Sequence, residues 1–159
     1  MIDATSIIDY SYDDFCDGIT TIVHQVQASG FKPDYIVGVV RGGAVPAVYL
    51  SHKLKVPVAM VAWNTRDDTE WGNESNYWIP EDLVAGKKIL LVDDIIDGGE
   101  TIKELLADWQ TSVRDMIPVD NLRICCMIHN TAQQVRPHFY HRTIDRNEDK
   151  RWVVFPWEA

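Results

Sequence analysis

Residues 89–101 read Ile-Leu-Leu-Val-Asp-Asp-Ile-Ile-Asp-Gly-Gly-Glu-Thr. Apolar residues from Ile89 to Val92 without alternation describe a strand buried on both faces, the pattern of a parallel sheet covered by helices. The strand stops at Asp93 and Asp94, and Gly98 and Gly99 then turn the chain into a helix that starts near Thr101. Ligands of open α/β sheets sit beyond the carboxyl ends of such strands. Two ionised carboxylates there are pure acceptors, suited to the two hydroxyls of a vicinal sugar diol. Beside them, the backbone N–H groups of the glycine turn and the dipole of the helix form an anion cradle. Taken together, these features describe a site for a phosphorylated sugar.

The rest of the chain alternates helix and strand. Ser11 is placed to cap a helix running to about Ser29, with Asp13, Asp14 and Asp17 in its first turns and Gly30 at its end. Tyr35 to Val40 reads as a strand, Ala44 to Leu54 as a helix, Val56 to Ala62 as a second strand and Lys88 to Val92 as the third. The helix after the glycine turn is expected to reach about Trp109. Leu122 to Ile128 forms a fourth core strand, and Trp152 to Phe155 a short terminal one before Pro156. This order predicts an α/β fold, a doubly wound and mainly parallel sheet flanked by helices. With 159 residues, the expectation is one domain over 1–159, long enough for a single substantial core and too short for two ordinary domains.

Charge and cysteine content narrow the function classes. Fifteen basic against twenty-four acidic residues give a formal charge of −9, which argues against a broad electrostatic surface for nucleic acid. The amino terminus lacks a basic region followed by an apolar core, and no run reaches membrane-spanning length, so a soluble, cytoplasmic protein is expected. Cys16, Cys125 and Cys126 make neither a disulfide framework nor zinc spacing. Core thiols are the expected role of the adjacent pair.

Three further segments bear on chemistry. In Val37-Gly-Val-Val-Arg-Gly-Gly-Ala-Val-Pro46 a strand again runs into a glycine turn and a helix. Arg41 offers forked donors that suit a diphosphate, and Gly42 and Gly43 let the backbone approach closely. The polar stretch 63–80, with Trp71, Tyr77 and Trp78, is too long for an ordinary connection and reads as a lid or a surface excursion. At the end, Arg151-Trp-Val-Val-Phe-Pro-Trp-Glu158 presents flat aromatic faces that suit a flat base; Phe155 and Trp157 are expected to plug the core. His138 and His141 lack ligand spacing and are expected at the surface, as are the basic residues Arg136, Arg142, Arg146, Lys150 and Arg151, in solvated or subunit-contact roles.

The string 89–101 resembles the phosphoribosyl-pyrophosphate (PRPP) motif of the type I phosphoribosyltransferases, with Gly98 where that family usually has Ser or Thr. The segment 37–46 resembles the family's pyrophosphate loop, which implies a cis peptide between Val40 and Arg41. The carboxyl-terminal string looks like the base-binding end of the 6-oxopurine enzymes, those for guanine, xanthine and hypoxanthine. The resemblance implies transfer of a 5-phosphoribosyl group from PRPP to a purine, giving a nucleoside 5′-monophosphate and pyrophosphate, as in purine salvage. It implies a PRPP site at Arg41, Gly42, Gly43, Asp93, Asp94, Asp97, Gly98, Gly99, Glu100 and Thr101. Asp97 falls on the catalytic acid near purine N7, and Glu100 is expected to point its charge outward.

Base contacts are implied at Trp152, which stacks, and Val153, whose backbone bonds the base edge, within a base-binding segment 129–159. Relatives usually place a Lys followed by Pro at the end of the preceding strand. Alignment from Ile124 puts His129 and Asn130 there, and a histidine can donate to a carbonyl or accept from an amine. The resemblance implies that residues 63–80 form the family's mobile hood. The resemblance also implies Mg²⁺, held by Asp93 and Asp94 directly or through water and arriving with the substrate, and a homo-oligomer, a dimer or tetramer. Which base accepts is open, as are two alternatives: a PRPP-binding regulatory protein without useful catalysis, and transfer to a non-purine base.

Overall fold

Along the buried strands, successive side chains go to opposite sides, and each side is roofed by its own helices. Ile36, Leu90, Val92, Cys125 and Met127 share one buried cluster with Phe15, Ile19, Ile22 and Val26 of the first helix and Ala47 and Leu50 of the second. Their neighbours Val37, Val39, Ile89, Leu91, Ile124 and Cys126 share the other with Ile79, Leu83, Ile102, Leu105 and Trp109. A sheet with two apolar faces is stable only between helices, which explains the unalternating runs.

This arrangement comes from a computed structural model that describes residues 6–65 and 72–158. In chain order the elements are β1 (Ile7–Asp9), α1 (Tyr12–Ser29), β2 (Tyr35–Val40), α2 (Ala44–Leu54), β3 (Val58–Ala62), α3 (Trp78–Val84), β4 (Ile89–Val92), β5 (Ile95–Ile96), α4 (Glu100–Ser112), β6 (Leu122–Asn130), β7 (Phe139–Ile144) and β8 (Trp152–Val154). The main sheet runs β3, β2, β4, β6, with β7 beyond β6, and every strand pairing in it is parallel. β5 pairs with β6 on the side of β4 and so continues β4 after a break at Asp93 and Asp94. A second, two-stranded parallel sheet joins β1 to β8.

Helix α1 begins and ends as its sequence predicts. The Ser11 hydroxyl accepts from the Asp14 N–H while the Asp14 carboxylate accepts from the Ser11 N–H, a reciprocal cap, and Gly30 closes the helix at φ 76°. Cys125 and Cys126 are buried, and burial pushes both thiols far up. Among the described residues no helix is long and apolar enough to cross a membrane.

The region 63–80 is not one structureless excursion. Ala62 and Glu74 exchange backbone hydrogen bonds at 2.9 and 2.7 Å, pinching its base, and α3 starts inside it at Trp78. The Trp78 ring lies 5.6 Å from that of Tyr35, at the amino-terminal end of β2, away from the strand ends where ligands bind. Trp71 lies outside the described residues. β1, β5 and β7 are additions to the expected elements, and α4 and β6 run further than expected, to Ser112 and Asn130. Short strands such as β1 take their identity from a partner far away in sequence, here β8, and carry little periodicity of their own.

Candidate active site

Where β2 and β4 end, the chain opens into a cleft of about 860 Å³, lined by residues 39–42, 63–65 and 93–102 together with Arg146, Trp152, Val153, Phe155, Trp157 and Glu158. Its first wall is the turn after β2. The Val40–Arg41 peptide is cis, and the Gly43 N–H donates to the Val39 carbonyl at 2.8 Å, drawing the turn tight. A side chain is barred from this turn: a Cβ on Gly42 would overlap the Asp94 carboxylate, and one on Gly43 would overlap the Val92 carbonyl. Glycine at both positions is what lets the Arg41 turn and the acid pair touch.

Asp93 and Asp94 occupy the break between β4 and β5. The Asp94 N–H donates to Asp93 Oδ1 at 2.9 Å, the Ile95 N–H donates to Asp94 Oδ1 at 2.7 Å, and the Asp94 carbonyl accepts from Met127 and Ile128 across the sheet. Burial, then the charge of its neighbour, pushes the Asp93 carboxyl well above the usual carboxylate range. Burial raises Asp94 as well, with the Glu158 charge adding to it. A carboxylate pair in this state favours a cation or hydroxyl donors over solvent.

The next wall is the turn into α4. Gly99 stands at φ 83°, where its Cβ would also meet the Val135 side chain at 2.6 Å. Glu100 opens the helix and is exposed, but its carboxylate folds back over Gly98 instead of pointing outward. No side-chain hydrogen bond caps α4 at Gly99. With Glu100 and Thr101, the backbone of this turn lines the cleft.

Asp97, at the start of the turn, is gripped by Arg146. Arg146 Nε donates to Asp97 Oδ1 at 3.0 Å and Nη2 to Oδ2 at 3.0 Å, a forked pair, while Asn130 Nδ2 donates to the Asp97 carbonyl at 3.1 Å. Arg146 is thus half-buried in the cleft wall, not solvated as a member of a basic tail. Sequence reasoning passed over it because it sits in a charged run with no periodicity to single it out.

The structure does not bring His129 to the cleft. The residue is 3% exposed and its ring lies 5.4 Å from that of Tyr140, and burial followed by the Arg136 charge lowers its pKa. Alternation along β6 hands the contact with the turn to the next residue, Asn130. His141 is also drawn inward, its Nδ1 2.7 Å from the Tyr10 hydroxyl, whereas His138 stays exposed and accepts from the Ile124 N–H.

Trp152 and Val153 form the last wall on β8, with Trp152 47% exposed and Val153 buried. Phe155 is buried in the core, and Trp157 stacks on it at 5.1 Å with nearly parallel rings, as core plugs. Glu158 adds a further carboxylate to the cleft, its Oε2 accepting from the Phe155 N–H; a lone terminal acid gave no signal. Among the described residues no group of three or more His, Cys, Asp or Glu is placed to hold a metal ion.

Known proteins agree with this geometry at the level of fold and family. The chain is similar over 97% of its length to a purine phosphoribosyltransferase from Pyrococcus horikoshii, 95% of which is covered, with a TM-score of 0.71 and 23% identity. A xanthine-guanine-hypoxanthine phosphoribosyltransferase from Helicobacter pylori matches over 96% of this chain and 94% of its own, with a TM-score of 0.70 and 20% identity. A protein from Neisseria gonorrhoeae with bound ppGpp matches over 97% and 90%, with a TM-score of 0.71 and 23% identity. No curated protein matches the sequence. At these identities the solved structures bear on the fold, and the family model carries the rest. The phosphoribosyl transferase domain model matches residues 11–159, and the chain belongs to the phosphoribosyltransferase family.

Proposed function

We propose that this protein transfers a 5-phosphoribosyl group from PRPP to a 6-oxopurine, releasing pyrophosphate and a nucleoside 5′-monophosphate. The observation that carries this reading is the cleft itself, which gathers the Arg41 turn, the Asp93–Asp94 pair, the turn 97–101 and the exposed Trp152. Arg41 with the backbone of Gly42 and Gly43 takes the pyrophosphate. Asp93 and Asp94 accept from the ribose hydroxyls. The N–H groups of Gly98, Gly99, Glu100 and Thr101 receive the 5′-phosphate at the helix start, from which the Glu100 carboxylate must swing away because like charges repel. Trp152 stacks on the base, and the Val153 backbone reads its edge.

In the reaction a ring nitrogen of the base bonds to C1 of the ribose as the C1–O bond to pyrophosphate breaks, and the electron pair leaves with pyrophosphate. The base sheds one proton, and Asp97 is the acceptor placed for it. Most of the rate comes from positioning and from stabilising the departing charge. The donor set fits Mg²⁺, because Asp93 and Asp94 are hard oxygen ligands whose burial favours a positive partner. When bound, Mg²⁺ would neutralise charge on the pyrophosphate. A cytoplasmic homo-oligomer, a dimer or tetramer, belongs to the same reading.

A second reading is a PRPP-binding regulatory protein without useful catalysis. What favours it is that Arg146 engages both oxygens of Asp97. Mixing the protein with Mg²⁺, PRPP and hypoxanthine separates the two. Pyrophosphate appearing one for one with inosine monophosphate supports the transferase; PRPP bound without turnover of any base supports the regulator.

A further inference from the structure

Arg146 lies between β7 and β8 in a run of charged residues, yet its side chain is only 18% exposed. Its guanidinium spends its donors on one distant segment and on the stretch that follows it in sequence. Nε and Nη2 hold the Asp97 carboxylate, while Nη1 donates to the carbonyl of Arg151 at 2.5 Å and more loosely to that of Asp149 at 3.4 Å. Its own N–H donates to Asn130 Oδ1 at 3.2 Å, and the same Asn130 side chain donates back to Asp97. The bonds close a ring through the turn after β5, the end of β6 and the entry to β8. The residue after Arg151 is Trp152.

We propose that Arg146 is a positioning residue that locks the Asp97 carboxylate and the backbone leading into Trp152 in one register, so that an acceptor base meets an acid and a ring whose spacing is fixed. The proposal rests on the phosphoribosyl-transfer reading for what it positions, but the latch is a property of the unliganded protein. Only arginine can make it: a planar fork grips both carboxylate oxygens and still has Nη1 for a carbonyl, whereas an ammonium is a single point. The grip does not close Asp97 to a ligand, because the Asp97 side chain stays 42% exposed.

Two variants, Arg146→Gln and Arg146→Lys, test the latch with two readouts. The first is amide hydrogen exchange of the unliganded protein. Both variants should speed exchange about tenfold or more in 97–101 and 151–154 together, with β2 and β4 unchanged, since opening a local latch leaves the core closed. Unchanged exchange in either segment, or faster exchange throughout the chain, overturns the proposal whatever the protein turns over.

The second readout is steady-state kinetics. Arg146→Gln should lower kcat about 30-fold and raise KM for the base about fivefold, and Arg146→Lys should recover little of the loss. In an Asp97→Asn background the kcat effect of Arg146→Gln should shrink to about threefold or less, because the two residues act as a unit. Equal losses in both backgrounds overturn it. If the wild type turns over no base while the exchange result holds, the transfer reading fails and the latch stands.

Discussion

Gly42 faces the carboxylate of Asp94 with no room for a methyl group between them: a Cβ on Gly42 would lie 2.7 Å from Asp94 Oδ1 and closer still to Oδ2. Two turns from different strands thus share one surface, and the contact joins the candidate pyrophosphate turn to the candidate ribose acids. Gly42→Ala should therefore displace Asp94, weakening PRPP binding by at least about tenfold in calorimetry while costing about 1–3 kcal/mol of stability for the overpacking. Unchanged affinity would show that the two turns act independently.

The acid pair should cost stability at neutral pH. Both carboxyls are raised in the folded protein, so the folded state holds protons that the unfolded chain has already released. Their contribution is favourable at low pH and is lost as pH rises from the unfolded carboxylate pKa, about 4, through the raised folded values. Asp93→Asn keeps the Oδ1 that accepts from the Asp94 N–H and removes one charge. Thermal melts should show the variant more stable than the wild type at pH 8, with the gap closing towards pH 3, while PRPP affinity falls. A gap that widened on acidification would reverse the sign.

Trp152 is about half exposed in the cleft wall, on a strand that pairs with β1. Trp152→Ala should raise KM for the base about tenfold, equivalent to roughly 1.4 kcal/mol of stacking, with the melting temperature nearly unchanged. KM for PRPP should not follow. Equal changes in both would place Trp152 outside the base site.

Asp97→Asn keeps a group of the same shape beside Arg146 but removes the proton acceptor. Nucleotide formation should fall by about 100-fold or more in kcat if the acid takes part in proton transfer. Turnover close to that of the wild type across pH 6–9 would leave Asp97 a structural partner of Arg146 alone.

Much of the frame could be read before any coordinates. The run Ile89 to Val92, the reciprocal cap at Ser11 and Asp14 and the stop at Gly30 are local signals, each decided within a few residues, and the elements they mark formed where expected. The glycine turns were legible for the same reason. What escaped depends on contacts across the chain. β1 exists through β8, Arg146 matters through Asp97, 49 positions away, and Glu158 enters the cleft because Phe155 and Trp157 anchor the carboxyl terminus. His129 is instructive: a shift of one residue along β6 exchanges a contact with the Asp97 turn for one with the Tyr140 ring, and sequence spacing alone does not resolve one residue.

Base-by-base assay of the unmodified protein decides whether this cleft transfers phosphoribosyl groups to purines. With Mg²⁺ and PRPP present, guanine, hypoxanthine, xanthine and adenine are supplied separately and both pyrophosphate and nucleoside 5′-monophosphate are quantified. Equal amounts of the two products with at least one 6-oxopurine, and none without PRPP, is the expected result. PRPP binding without nucleotide from any of the four bases would contradict it.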